Sequence, residues 1–146
     1  SWTLQQRIQG NGGEFGLALA LDGDTAVVCA SRENSFTGAA RVFVRSGATW
    51  TAQAVLTASD GYGGHFFGSS VTIDGDLVVV GARSSDISAT DDGACYVYAR
   101  SGSAWSEEDR LVASNASASA AFGSSVALHG DTLVVGAPGA LAPSAT

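Results

Sequence analysis

The sequence predicts an all-β chain of four-stranded antiparallel blades, the repeating unit of a β-propeller, and three observations carry that reading. Phe-Gly recurs at Phe15-Gly16, Phe67-Gly68 and Phe122-Gly123, at spacings of 52 and 55 residues. Each pair opens an apolar run that ends in a tight turn: Asp22-Gly23-Asp24, Asp74-Gly75-Asp76 or His129-Gly130-Asp131. A second apolar run then closes on small residues, Val28-Cys29-Ala30, Val80-Gly81-Ala82 and Val135-Gly136-Ala137-Pro138. A fixed period near 50 residues with several short strands per period is the mark of a propeller-like array.

The period starting at Phe67 gives each element. Gly68–Ile73 is strand one, with Val71 and Ile73 alternating against polar neighbours. Asp74-Gly75 signals a two-residue hairpin of type I′. Leu77–Ala82 is a near-continuous Val run, as in a strand covered on both faces. The polar loop Arg83–Gly93 leads to strand three, Ala94–Arg100, and Ser101-Gly102 turns the chain into strand four, from Trp105 to Leu111. The preceding period matches, with Thr25–Ala30, Ala39–Arg45, Ser46-Gly47 and Trp50 to Leu56. Trp2 to Ile8 reads as a further copy of strand four. In all three copies Trp stands six residues before Ile or Leu, which a period of two places on one strand face.

The expected organisation is therefore a last strand and loop over 1–14, a blade over 15–66, a blade over 67–121, and strands one and two of another over 122–146. Eleven strands cannot close a ring of four or more blades. The expectation is a segment continued covalently or docked against further copies, and one that is oligomeric or poorly folded alone.

Composition narrows the partners. Apolar residues make up 45% and charged residues 14% of the chain, so it can bury a core. All seven basic residues are Arg, and the net charge of −7 disfavours nucleic acid and anionic membrane surfaces. No apolar run approaches the ~20 residues of a membrane-spanning helix, so no membrane insertion is expected. Cations, basic proteins and neutral glycans remain open. Cys29 and Cys95 occupy positions where other copies carry small residues, which favours two buried thiols; the alternative is one disulfide between neighbouring blades.

Phe67-Gly68, Val78-Val79-Val80-Gly81-Ala82 and Val134-Val135-Gly136-Ala137-Pro138 resemble the FG-GAP repeat, the blade motif of the integrin α-subunit propeller. The resemblance covers essentially the whole chain. It implies a propeller of about seven blades in the full protein, and use outside the cell or at its surface in adhesion and protein–protein recognition. Many integrin blades carry an Asp-x-Asp-x-Asp-Gly calcium loop between strands one and two. Here that connection is a two-residue turn, too short to supply six to eight oxygen ligands. No metal and no cofactor is expected, and Asp24, Asp76 and Asp131 read as acceptors of local backbone hydrogen bonds. Melting temperature should accordingly not respond to calcium. Asp86, Asp91 and Asp92 match no calcium spacing and read as a solvated loop.

No catalytic constellation emerges. His65 and His129 fall on opposite edges of the blades, no Gly-x-Ser-x-Gly is present, and Glu107, Glu108 and Asp109 fit a solvent face of strand four. Asn115-Ala116-Ser117 is an N-glycosylation sequon, and the Ser, Thr and Pro of 140–146 suit O-linked sugars. Short turns share one edge of the blades, and unequal loops the other: Gly10–Glu14, Arg32–Gly38, Ala58–Phe66, Arg83–Gly93 and Ser114–Ala121. Variable loops on a rigid scaffold are where binding is placed. Arg32, Phe36, Tyr62, His65 and Phe66 are the loop residues best suited to contact, with inward packing the better reading for Phe66. The function expected is a non-catalytic interaction or assembly module outside the cell, whose partners are other chains or further blades. The competing class is a glycan-binding, lectin-like propeller or the accessory propeller of a secreted enzyme. Trp2, Trp50 and Trp105 lie in strands rather than loops, which counts against that class.

Overall fold

A computed structural model describes residues 1–87 and 89–141. Two four-stranded antiparallel sheets follow one another. The first holds β1 (Leu19–Asp22), β2 (Thr25–Ala30), β3 (Ala39–Ser46) and β4 (Thr49–Leu56); the second holds β5 (Phe67–Asp74), β6 (Leu77–Ala82), β7 (Ala94–Ser101) and β8 (Ala104–Leu111). β9 (Ser125–His129) and β10 (Thr132–Gly136) pair as a hairpin beside the second sheet. In each full blade the strands pair in chain order, so every connection is local and the twisted sheet is a meander.

The core lies within and between the sheets, on Val27, Val42, Phe67, Val78, Val80, Tyr96 and Tyr98. The valines of β6 are buried on both faces, as their continuous run predicts. Phe67 is fully buried and meets Tyr96 and Tyr98 of its own blade edge-on, at 5.5 and 6.1 Å between ring centroids. Its backbone is partnered with Ala82 in its own blade and also reaches the preceding blade, through a parallel bridge to Gly38. Phe122 bridges Gly93 in the same way. The Phe-Gly glycines have φ of 92°, 90° and 89°, and the residue before each Phe (Glu14, Phe66, Ala121) is also left-handed. That kink brings the strand onto its neighbour, where Gly68 faces Cys29 and Gly123 faces Cys95.

Three expectations need correction. Trp2–Ile8 is not a strand: no described segment runs beside it to complete a ladder, and the Gln6 amide exchanges two hydrogen bonds with the Trp50 backbone without forming one. The hairpin turns are not type I′, because only the first of the two loop residues (Gly23, Gly75, Gly130) has positive φ, as in type II′. Trp and Leu do not share a face of strand four. A bulge between Val42 and Phe43, repeated between Val97 and Tyr98, inserts Gln53 and Glu108. Trp50 consequently lies opposite Arg45, and Leu56 opposite Ala40 on the other face. The bulged Gln53 accepts the indole N–H of Trp105 in the next blade, at 2.9 Å. Of the two readings of the cysteines, the favoured one of two buried thiols describes the structure, and the alternative disulfide is not formed: Cys29 and Cys95 are each free, buried, and sealed in a different seam between blades. Burial pushes both thiols up to about 12. Thiol reagents are therefore expected to label the folded chain hardly at all at neutral pH and both cysteines on unfolding, followed by mass shift.

The hairpin aspartates divide two tasks. The first Asp of each turn crosses to the next blade: Asp22 accepts the Gly75 N–H at 2.7 Å, and Asp74 accepts that of Gly130 at 2.5 Å. His129 stands at this position in the third copy and faces Asp74 at 3.7 Å. The second Asp does more than the expected backbone capping. Its carbonyl does take a backbone N–H, from Arg45 or Arg100 on strand three, but its carboxylate pairs with that arginine's guanidinium. The same guanidinium lies over Trp50 or Trp105, at 5.4 or 5.1 Å. Asp74→Ala should lower stability by about 1 kcal/mol, the usual net worth of one hydrogen bond, read from the urea midpoint at constant slope.

Candidate functional site

The loop edge gathers residues from three connections. Arg32 lies just before a single turn at Glu33–Phe36, in which Asn34, Ser35 and Phe36 all have positive φ. That turn swings the Phe36 ring onto Phe66, at 5.3 Å between centroids. The Phe66 N–H donates to the Phe36 carbonyl at 2.9 Å, so the two loops are tied at the backbone too. Arg32 covers Phe36 at 5.9 Å and Arg83 covers Phe66 at 5.4 Å. The result is a row, Arg32–Phe36–Phe66–Arg83, running across the seam between the two full blades. Arg32 is neutralised by Glu14 at 3.0 Å.

Beside the row, Tyr62 is 54% exposed and rests on His65, at 3.9 Å between ring centroids. His65 is not a surface residue. It is only 2% exposed, and neither ring nitrogen has a hydrogen-bond partner among the described residues. Its place in a contact set is therefore beneath Tyr62 rather than at the surface. Phe36, 43% exposed, does face outward. Phe66 is half-buried as a platform, and Arg83, which sequence reasoning passed over, completes the set. The signal for Arg83 was its position at the first residue after a buried strand, on the loop edge.

The acidic loop is not merely solvated. Asp92 is buried, and its carboxylate accepts the N–H groups of Ile87 and Ala89 at 3.0 Å each. Asp86 accepts the Asp91 N–H at 2.6 Å and lies 3.4 Å from the Tyr62 hydroxyl. These carboxylates organise a long loop from within, as short acidic side chains do in turns. Nor is all of strand four's charge free in solvent. Glu107 accepts the Ser59 hydroxyl at 2.7 Å and its N–H at 3.0 Å, and so fastens the preceding loop over the second blade. Asp60 accepts the Tyr96 hydroxyl at 2.7 Å and pairs with Arg110. Burial alone would raise the Asp60 carboxyl; the Tyr96 bond and the Arg110 charge outweigh it and hold it below its ordinary value. That contribution to stability is present above the ordinary carboxylate range and fades as pH falls through the lowered value.

Asn115 is exposed in a turn, while the hydroxyl of Ser117 is buried. The Ser, Thr and Pro of the 140–146 tail lie outside the described residues. His65 and His129 stand at opposite edges, one beneath a loop and one in a hairpin turn.

The family model described as FG-GAP repeat matches residues 50–98 and 105–145, more than half of the chain. The chain belongs to the FG-GAP repeat family. The two FG-GAP matches begin at Trp50 and Trp105, so the family's repeat runs from an outer strand into the next blade, across the seam where Phe-Gly bridges Gly38 or Gly93. No curated protein matches the chain.

Proposed function

We propose that this FG-GAP chain is a non-catalytic protein-interaction module, working outside the cell in adhesion or assembly, and that it binds through its loop edge. The observation that carries the reading is the row Arg32–Phe36–Phe66–Arg83 with Tyr62 beside it. Aromatic and arginine side chains are the groups most often responsible for interface energy, and here backbone hydrogen bonds hold them in place before any partner arrives. The sugar-binding alternative gains little from the tryptophans, since Trp50 and Trp105 each have a ring face covered by an arginine.

The test is binding of the intact chain to arrays of extracellular proteins and of glycans. The reading expects protein hits that weaken at least about tenfold in the Phe36→Ala, Tyr62→Ala double variant. Glycan hits without protein hits would replace it with the lectin class, and turnover of any substrate that disappears in His65→Ala would replace it with an enzyme.

A further inference from the structure

Arginines in this chain are mostly spoken for. Arg32 pairs with Glu14, Arg41 with Glu33, Arg45 with Asp24, Arg100 with Asp76 and Arg110 with Asp60. Arg83 is the exception on the loop edge: it is exposed and has no carboxylate within ion-pair reach among the described residues. Asp86, three residues on, is committed to the Asp91 N–H and turned toward Tyr62. The Arg83 guanidinium carbon lies over the Phe66 ring, 5.4 Å from its centroid, and the residue's backbone N–H is fixed by the Ser69 hydroxyl at 3.3 Å.

We propose that Arg83 is the receptor for a single carboxylate side chain of a partner protein, an Asp or Glu with an apolar neighbour that packs on Phe36 and Tyr62. This deepens, and rests on, the protein-interaction reading above. A guanidinium held over a ring by cation–π attraction, with no carboxylate partner of its own, has N–H groups to offer, and that rigid fork matches a carboxylate in two parallel hydrogen bonds. Contact with the ring also displaces water from one face, which strengthens the pair. Arg32, at the other end of the row, already has Glu14 as its carboxylate partner, so selection for negative charge falls to Arg83. The apolar half of the ligand follows from the two half-exposed rings nearby: Phe36 packs on Phe66, and Tyr62 packs on the adjoining His65. The net charge of −7 limits the partner further. A strongly acidic chain would be repelled by the rest of the surface, so the recognised carboxylate belongs to an otherwise neutral or basic segment.

The experiment presents short peptides with Asp-Leu, Asp-Phe, Glu-Leu and Glu-Phe centres in neutral and basic flanks, each beside its Asn or Gln counterpart, to the full chain, with affinity read by fluorescence anisotropy. Acidic centres should bind at least about tenfold tighter than their amides. Arg83→Gln should erase that preference, and Arg7→Gln, at an exposed arginine with no ring beneath it among the described residues, should leave it unchanged. Equal affinity for acid and amide peptides, with binding still lost in Phe36→Ala, would overturn the carboxylate assignment while leaving the protein-interaction reading intact. An unchanged preference in Arg83→Gln would do the same. Binding of uronate-bearing glycans with no binding of any peptide would overturn both.

Discussion

Gly38→Ala and Gly93→Ala are each expected to cost about 4 kcal/mol or more, enough to abolish cooperative folding or drop the melting temperature by over ~10 °C. Two independent costs add at these sites. The backbone is left-handed, at φ of 86° and 83°, which an L side chain adopts only with strain. A Cβ would also overlap the backbone of Phe67 or Phe122, because these glycines make the parallel bridges between blades. Neither neighbour can yield, since both are backbone atoms in a hydrogen-bonded seam: Phe67 N–H donates to Thr37, and Phe122 N–H to Asp92. Thermal denaturation followed by circular dichroism checks this. A Gly75→Ala variant is the internal comparison, because its Cβ would meet nothing within 4 Å. Losses of equal size at Gly38 and Gly75 would show that φ alone, rather than the seam, sets the cost.

Phe67→Ala should destabilise by about 3–5 kcal/mol, the range for emptying a buried aromatic site. The ring is fully buried, and its loss would leave Tyr96 and Tyr98 facing a void that their hydroxyls, tied to Asp60 and Thr57, prevent them from filling. Phe15→Ala should cost clearly less, although it stands in the same motif. Its ring is only half-buried and, among the described residues, meets one aromatic neighbour, Phe43, at 6.4 Å. Urea titration of the two variants decides the matter. Equal costs would mean that the motif's phenylalanine acts within its strand and not through the seam.

Burial elsewhere follows the same logic of neighbours. Val27 and Val79 are buried at 0% and 1% exposure, whereas the equivalent Val134 is 64% exposed. Leu19 is 67% exposed, while its equivalent Val71 is partly buried and packed against the core. The residues are interchangeable in sequence. What differs is whether a strand or a blade lies against them.

Strand order within the sheets was legible because it rests on local rules. Period-two alternation, continuous Val runs and glycine turns act between residues close in the chain, and three copies in register removed the ambiguity of any one. The loop edge was legible as a place for the same reason, since unequal loops fall between equal strands. The use of each loop residue was not. Arg83 looks like any solvent arginine until Phe66 slides beneath it, and His65 looks like a surface ligand until Tyr62 covers it. Asp92 looks like a member of a charged loop until its carboxylate is seen capping the N–H groups around it.

By itself, then, the sequence determined the repeat, the antiparallel blades, the hairpins and the family, all consequences of short-range pattern and turn chemistry. Only the tertiary structure decided the parity of strand four, the separate seams of Cys29 and Cys95, the two errands of the hairpin aspartates and the row Arg32–Phe36–Phe66–Arg83. Most of these depend on one added residue in a bulge or on contacts between residues distant in the chain, such as Asp24 with Arg45 within a blade and Asp22 with Gly75 between blades. Periodicity carries no record of them, because a bulge changes which face a side chain takes without changing the residues, and a seam is made by whichever side chains happen to meet there.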